Sequence, residues 1–216
     1  MKIKSKTKKT DKKARQLTVA LTGSFGSGKS FIRDCFQKEG AFVLDCDALA
    51  RDVVKKYASK YVSLVKRLIH DGSGNRRKEL AHLIFKDKKA RTTLENFMHP
   101  KILAEMRTRL KSNNSKIRIV EVPLLFEKRL ENRFNASIAV KCPNKLLIKR
   151  LKQRGFSAME VKERLAVQMP EKLKCDRADY ILDNTLSRSN LRKKAKSLYK
   201  TLESISMQRD PTKWRR

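Results

Sequence analysis

The most informative stretch of the chain is Leu17-Thr18-Val19-Ala20-Leu21-Thr22-Gly23-Ser24-Phe25-Gly26-Ser27-Gly28-Lys29-Ser30. Its first six residues are apolar or β-branched, which is typical of a short buried strand. The last eight fit the pattern G-x-x-x-x-G-K-[ST], in which glycines allow backbone N–H groups to turn toward phosphate oxygens. Because this loop follows a strand and opens a helix, we expect it to bind the phosphates of ATP.

Two side chains of the loop have specific expected roles. Lys29 is placed to reach the β- and γ-phosphates, and Ser30 to supply a hydroxyl to Mg²⁺. On a later basic helical pair, Arg150, Arg154 and Arg164 are candidates to neutralise the transferring phosphoryl group, although a solvated helical face has the same pattern. The expected ATP-binding residues are Gly23, Ser24, Phe25, Gly26, Ser27, Gly28, Lys29, Ser30, Phe31, Arg150 and Arg154.

Further along the chain, the pattern predicts an α/β fold. A helix over Phe31–Lys38 and a strand over Ala41–Leu44 complete a β-α-β unit, which implies a parallel sheet. Residues 47–110 are mostly helical and too long for a simple crossover, so they predict an inserted helical region. Strands over Ile117–Val122, Ala136–Val140 and Tyr180–Leu182 would complete the sheet.

The remaining segments are predicted to be helical. Helices over 143–154 and 157–168 form the basic pair that would close over ATP, and a terminal helix covers 187–206. We therefore predict a P-loop NTPase-type, three-layer α/β/α fold with a five-stranded parallel sheet. The expected divisions are a flexible basic arm over 1–16, a kinase domain over 17–208 and a basic tail over 209–216. Within the domain, the core is 17–50, 115–145 and 178–208, the substrate-binding insertion 51–114, and the lid 146–177.

The composition favours some partners and excludes others. With 54 Lys+Arg and 22 Asp+Glu, the net charge of +32 attracts polyanions. The basic residues are not interleaved with aromatics and no zinc-finger or RNA-recognition pattern occurs, so we expect only nonspecific electrostatic binding of nucleic acid. No apolar run approaches the roughly 20 residues of a membrane span, and we expect a cytoplasmic protein with no membrane partner. The oligomeric state stays open.

A small-molecule kinase fits the chain better than other P-loop proteins. A GTPase needs Asn-Lys-x-Asp to recognise guanine, but Asn144-Lys145-Leu146-Leu147 has leucine in place of the aspartate. A large motor or transporter ATPase needs a longer chain. Two alternatives remain open, namely a kinase of a nucleoside or nucleotide and a nucleic-acid-binding P-loop protein.

Acidic residues follow two of the predicted strands. Asp45 and Asp47 come after the second strand, at the sheet edge where ligands gather in parallel sheets. We assign Asp47 as the base that accepts a hydroxyl proton and Asp45 to the water shell of Mg²⁺, with the exchanged roles as the alternative. Capping of the next helix is another use of an aspartate, and Asp47 is compatible with both. Glu121, near the end of the third strand, is either a further Mg²⁺ partner or only a strand-end charge.

Several strings together resemble the dephospho-CoA kinase family. They are the phosphate loop, LDCDALAR at 44–51, LENFMHP at 94–100, VPLLFE at 122–127, and a C-terminal set of Arg164, QMP at 168–170, Lys172, Ala178-Asp179 and Asp183-Asn184. The resemblance runs from about Leu17 to Leu202. The chain departs from the family in having Ser24-Phe25 for Gly-Ile, Glu121 for Asp, and an altered string at 74–77.

This resemblance implies ATP-dependent phosphorylation of the ribose 3′-hydroxyl of dephospho-CoA, the last step of coenzyme A synthesis. It also implies the remaining site residues, with Arg76 as an alternative to Arg77. The catalytic residues would be Lys29, Asp47 and Arg154; the acceptor would contact Asp47, Arg77, His99, Pro123, Leu124, Leu125 and Arg164; and Mg²⁺ would involve Ser30, Asp45 and Glu121.

Overall fold

The computed structural model describes residues 16–69 and 76–207. Five parallel strands form one sheet in the order β2-β3-β1-β4-β5. The strands are β1 (Leu17–Gly23), β2 (Phe42–Asp45), β3 (Ile117–Glu121), β4 (Ala136–Lys141) and β5 (Tyr180–Asp183). The helices are α1 (Lys29–Lys38), α2 (Cys46–Lys56), α3 (Ala58–Leu68), α4 (Arg76–Lys86), α5 (Lys88–Lys111), α6 (Asn144–Gln153), α7 (Ala158–Ala166), α8 (Glu171–Arg177) and α9 (Arg188–Ser206).

Helices cover both faces of the sheet because the central strand is apolar on both sides. Val19 belongs to a core that includes Phe36 of α1 and residues of α9. Its neighbour Ala20 points the other way, into a second core with Leu49 of α2 and Met106 of α5. The predicted three-layer α/β/α fold with a five-stranded parallel sheet is confirmed.

The sequence pattern located most elements and misjudged some of their ends. Helix α1 begins at Lys29, two residues before the predicted start, because Gly28 lies in the left-handed region and turns the loop into the helix. The short helix α8 was not predicted. The expected turn at 71–75, residues 1–15 of the predicted arm over 1–16, and the predicted tail over 209–216 lie outside the described residues. No helix in the described ranges is long and apolar enough to span a membrane.

One buried ion pair ties α8 to the loop that follows β3. The Lys174 ammonium, on a side chain only 1% exposed, donates to the Pro123 carbonyl at 2.8 Å and lies 2.9 Å from Glu127 Oε1. The same carboxylate oxygen accepts the backbone N–H of Met169 at 2.7 Å. Lys172, which the family resemblance included, is exposed on the same helix. The lysine that connects these segments is therefore Lys174.

Replacing Lys174 by methionine should destabilise the protein strongly. The change keeps the side-chain volume but leaves the Glu127 carboxylate without its cation, and breaking a buried pair costs about 3–5 kcal/mol of unfolding free energy. Lys172→Met is the matched control, and as a surface change it should stay within about 0.5 kcal/mol. Urea unfolding of both variants measures the difference, and equal small losses would contradict the structural role of the pair.

Candidate active site

A cleft of about 1280 Å³ opens where the strands end. The phosphate loop after β1, the start of α2 after β2, the loop after β3 and Asn184 after β5 all contribute to its walls. The carboxyl edge of a parallel sheet is the usual position of a ligand site in this class of fold. Helices α5, α6, α7 and α9 complete the lining.

Most of the site residues predicted from the sequence line this cleft. They are Phe25, Gly26, Gly28, Lys29, Ser30, Phe31, Asp47, His99, Glu121, Pro123, Leu124, Arg150, Arg154 and Arg164.

The other predicted site residues lie elsewhere. Gly23, Ser24 and Ser27 form the buried base of the phosphate loop. Asp45, at the end of β2, is not among the residues that line the cleft. Leu125, expected at the acceptor, is instead fully buried in the core of Ala20 and Met106. Arg77 falls in α4, and its side chain is outside the described part of the structure.

The phosphate loop is held in its turn by glycine geometry and by one asparagine. Gly26 and Gly28 have φ angles of 81° and 102°, where side chains with a Cβ are strained. A Cβ on Gly28 would lie 2.4 Å from Asn184 Nδ2, and that amide donates to the Ser27 carbonyl at 2.7 Å. Asn184 thus fixes the loop from the end of β5; the sequence analysis included this residue in the family resemblance but did not predict this role.

The Lys29 side chain is held by hydrogen bonds to the backbone of the phosphate loop. Its ammonium donates to the carbonyls of Gly23 at 3.0 Å and Ser24 at 3.1 Å, and the residue is only 8% exposed. Burial is the largest cause that lowers the pKa of Lys29, while Glu121 opposes it. Because a desolvated cation interacts more strongly with an anion than a hydrated one does, this site favours a phosphate.

The two aspartates near the end of β2 have different contacts. Asp45 Oδ1 accepts the backbone N–H groups of Asp47 at 2.8 Å and Ala48 at 3.3 Å, so Asp45 is the N-cap of α2. This corrects the expectation that Asp47 could also cap the helix. Asp47 opens toward the cleft, and partial desolvation by the cleft walls, followed by the charge of Asp45, raises its pKa. The cation that most opposes this rise is Lys29.

An arginine that the sequence analysis missed joins the acidic residues. Arg33 Nη1 lies 2.8 Å from Asp45 Oδ2 and 3.1 Å from Glu121 Oε2.

In the described ranges, no group of three or more His, Cys, Asp or Glu side chains is arranged to hold a metal ion. Mg²⁺ commonly binds through substrate phosphates, waters and one or two carboxylates. The exposed Ser30 hydroxyl and the cleft-facing Glu121 fit an ion carried by a nucleotide, whereas Asp45 already has partners on both oxygens.

Aromatic stacking connects the segment of α6 and α7 to the phosphate loop. The rings of Phe25 and Phe156 meet edge to face with centroids 5.1 Å apart, and the Arg164 guanidinium lies 4.6 Å from the Phe25 ring centre. Arg154 is 5.7 Å from the ring centre of Phe156. In addition, the Phe25 N–H donates to Gln168 Oε1 at 2.9 Å. Arg154 and Arg164 are thereby held close to the phosphate loop.

The other half of the cleft is mainly apolar and lies against α5. Ile102, Leu103, Met106, Leu130 and Phe134 provide its apolar lining.

Two groups able to form polar contacts occur among these apolar side chains, His99 and Lys128. Partial burial lowers the pKa of His99, which favours the neutral imidazole at neutral pH. Lys128 Nζ pairs with Glu95 at 2.7 Å. Lys128 was missed because a lysine after the VPLLFE string is unremarkable in so basic a chain.

Comparisons with known proteins agree on one family. A model of the family described as dephospho-CoA kinase matches residues 17–190. A dephospho-CoA kinase from Aquifex aeolicus is 33% identical over 189 residues, covering 85% of this chain and 96% of the relative. A second from Thermus thermophilus is 33% identical over 183 residues, covering 84% and 90%.

Solved structures give the same result. A protein from Thermus thermophilus has a TM-score of 0.78 at 32% identity, covering 87% of this chain and 98% of that one. A dephospho-CoA kinase from Campylobacter jejuni has a TM-score of 0.64 at 28% identity, with the same coverage. A shikimate kinase from Acinetobacter baumannii, at 13% identity and a TM-score of 0.55, shares the fold alone; it covers 90% and 97%.

The capping assignment makes a stability prediction. Asp45→Ala removes two hydrogen bonds to the start of α2, and loss of an N-cap costs about 0.5–2 kcal/mol of unfolding free energy. It also removes one partner of Arg33, so a value in the upper part of that range is expected. Asp47→Ala leaves the cap intact and should cost less. Chemical denaturation of the two variants decides the matter: a larger loss for Asp47→Ala would assign the cap to Asp47.

Proposed function

The chain belongs to the dephospho-CoA kinase family of P-loop kinases, and we propose from this that it transfers the γ-phosphoryl group of ATP to the ribose 3′-hydroxyl of dephospho-CoA. The observation that carries the proposal is the position of Asp47. This carboxylate faces a cleft that has the phosphate loop on one side and the apolar wall of α5 on the other. A base at that boundary can act on a hydroxyl that approaches a bound phosphate.

ATP is assigned to the half of the cleft formed by the phosphate loop and α9. The loop binds the phosphates through its backbone N–H groups and Lys29, as such loops do in related folds. Beyond them lie Phe31, Arg150 and Arg188, which can receive the nucleoside. The Arg150 guanidinium is held in place by donation to the Asn184 carbonyl at 3.1 Å.

The transfer step follows from the charges around Asp47. The acceptor hydroxyl donates its hydrogen bond to the Asp47 carboxylate, and this proton moves to the carboxylate as the oxygen bonds to the γ-phosphorus. The bond from that phosphorus to the bridging oxygen breaks, and ADP leaves. Lys29, Arg154 and Arg164 stabilise the negative charge that spreads over the transferring group.

Mg²⁺ is proposed as the metal ion that accompanies ATP. When bound, it would neutralise charge on the β- and γ-phosphates. Ser30 would supply a hydroxyl ligand, and Glu121 a carboxylate for a water of the ion's shell. Asp45 is proposed only as a more distant member of that shell, since one of its oxygens caps α2 and the other pairs with Arg33.

The apolar half of the cleft is proposed to receive dephospho-CoA. Pro123 and Leu124 would contact its ring system, and His99 and Lys128 its polar groups. Arg77 stays a candidate for the acceptor, while Leu125 would act only from the core beneath. In this assignment 51–114 is the acceptor-binding insertion and 146–177 the lid over ATP. A cytoplasmic location and purely nonspecific association with nucleic acid stay predictions.

The proposed reaction predicts ADP release that depends on the acceptor. Purified protein with Mg-ATP should form ADP rapidly in a coupled assay only when dephospho-CoA is present. Lys29→Ala should abolish this turnover, because it removes the cation aimed at the phosphates, and the exposed Lys172→Ala should not. Faster ADP release with a nucleoside or nucleotide than with dephospho-CoA would favour a nucleoside or nucleotide kinase. ADP release at the same rate with and without any acceptor would contradict the proposal.

The role of Asp47 as base predicts a pH profile. Asp47 must be ionised to accept a proton and its pKa is raised, so kcat/KM should fall with decreasing pH at values above the ordinary aspartate pKa. Asp47→Asn should lower kcat by about 10²–10⁴-fold and remove that limb of the profile. The affinity for Mg-ATP and the melting temperature should change little. Asp176→Asn, an exposed change on α8, is the control. An acidic limb that is unchanged in Asp47→Asn would place the base elsewhere.

A further inference from the structure

Two carboxylates lie side by side at the carboxyl edge of the sheet. Asp45 ends β2 and Glu121 ends β3, and the parallel register pairs these two residues directly. Like charges at opposed positions of neighbouring strands destabilise a sheet. Glu121 is also poorly hydrated, since its side chain is only 9% exposed. An arrangement of this kind needs a cation to be stable.

The structure supplies that cation from α1. A single terminal nitrogen of Arg33 lies within hydrogen-bond distance of both carboxylates, at 2.8 Å from Asp45 and 3.1 Å from Glu121. Arg33 is four residues after Lys29, so both side chains project from one face of the helix. One face of α1 therefore directs one cation to the phosphate loop and another to the acidic pair.

The contact with Asp45 extends to the start of α2. Asp45 gives Oδ2 to Arg33 and uses Oδ1 to cap the helix through the Asp47 and Ala48 N–H groups. A single carboxylate thus links α1 to the first turn of α2, which carries Asp47. Movement of Arg33 would be transmitted to Asp47 through two hydrogen bonds.

We propose that Arg33 is a positioning residue that occupies the place of a metal ion between Asp45 and Glu121. By filling it, Arg33 keeps the two carboxylates from binding a divalent cation directly and fixes the first turn of α2 so that Asp47 faces the acceptor. The effect on turnover rests on the proposed function, whereas the effect on metal binding does not. Lys29 and Asp47 are the other charged groups near the pair; the Lys29 ammonium is bound by loop carbonyls.

The direct test is metal binding without nucleotide. Arg33→Gln removes the charge and leaves two adjacent carboxylates, which is a suitable site for Mn²⁺. Electron paramagnetic resonance should then detect about one bound Mn²⁺ per chain in Arg33→Gln. It should detect none in the wild type, in Arg33→Lys or in Arg107→Gln, which removes an exposed arginine of α5. Mn²⁺ bound by the wild-type protein in the absence of ATP, or no binding by a folded Arg33→Gln, would overturn the proposal.

A double-mutant cycle keeps the test decisive if Arg33→Gln does not fold. Arg33→Gln/Glu121→Gln removes the cation and one of the two carboxylates, so it should be more stable than Arg33→Gln alone and should not bind Mn²⁺. If Arg33→Gln folds, melting temperatures of the two single variants and the double variant give the coupling between the residues. If it does not fold, the double variant should fold, and its failure to fold would refute the proposal. If the falls in melting temperature of the two single variants simply add in the double variant, Arg33 does not act through Glu121, and the proposal is refuted.

Kinetics distinguish positioning from a general structural role. Arg33→Gln should lower kcat by about 10²-fold, the effect of a displacement of roughly 1 Å at a reacting group, with little change in the KM for ATP. Arg33→Lys restores the charge and should recover most of the turnover, and Arg107→Gln should behave as the wild type. An Arg33→Gln enzyme with normal kcat, or one in which only the KM for ATP rises, would contradict the assignment.

Discussion

The site depends on a backbone turn that only glycine can make at this position. Gly28 combines a left-handed φ of 102° with contact to Asn184, and there is no space for a Cβ between them. This close approach connects the end of β1 to the end of β5 across β4. The same turn sets the start of α1 at Lys29, and it thereby sets the direction in which Lys29 and Arg33 project from the helix. A side chain there would displace the asparagine and the loop together.

The sheet separates the two halves of the proposed chemistry. Helices α1 and α9 pack on one face and α2 and α5 on the other, and the cleft crosses the sheet edge between them. Asp47 lies at the boundary because α2 starts where β2 ends. The sheet that fixes this boundary is packed against a core on each face, whereas the segment from α6 to α8 is attached through aromatic contacts and one buried ion pair.

Local sequence predicted the fold and the cleft better than it predicted the charged contacts. Strand-loop-helix order, glycine positions and strand ends are local features, and they located the phosphate loop, Asp47 and Glu121. Arg33 and Lys174 were missed because a cation on a helix looks the same in sequence whether it is solvated or paired across the fold. Leu125 was misplaced for a related reason: in an apolar string, the sequence does not tell which side chain enters the core.

The contact of Arg33 with Asp45 and Glu121 has an evolutionary consequence. A change at position 33 alone leaves two facing carboxylates, and a change at position 121 alone leaves the arginine with one partner fewer. Each single step is therefore costly, while a joint change can be nearly neutral. Among relatives of this chain, positions 33 and 121 should be inherited as a pair, so that a basic residue on α1 accompanies the glutamate at the end of β3.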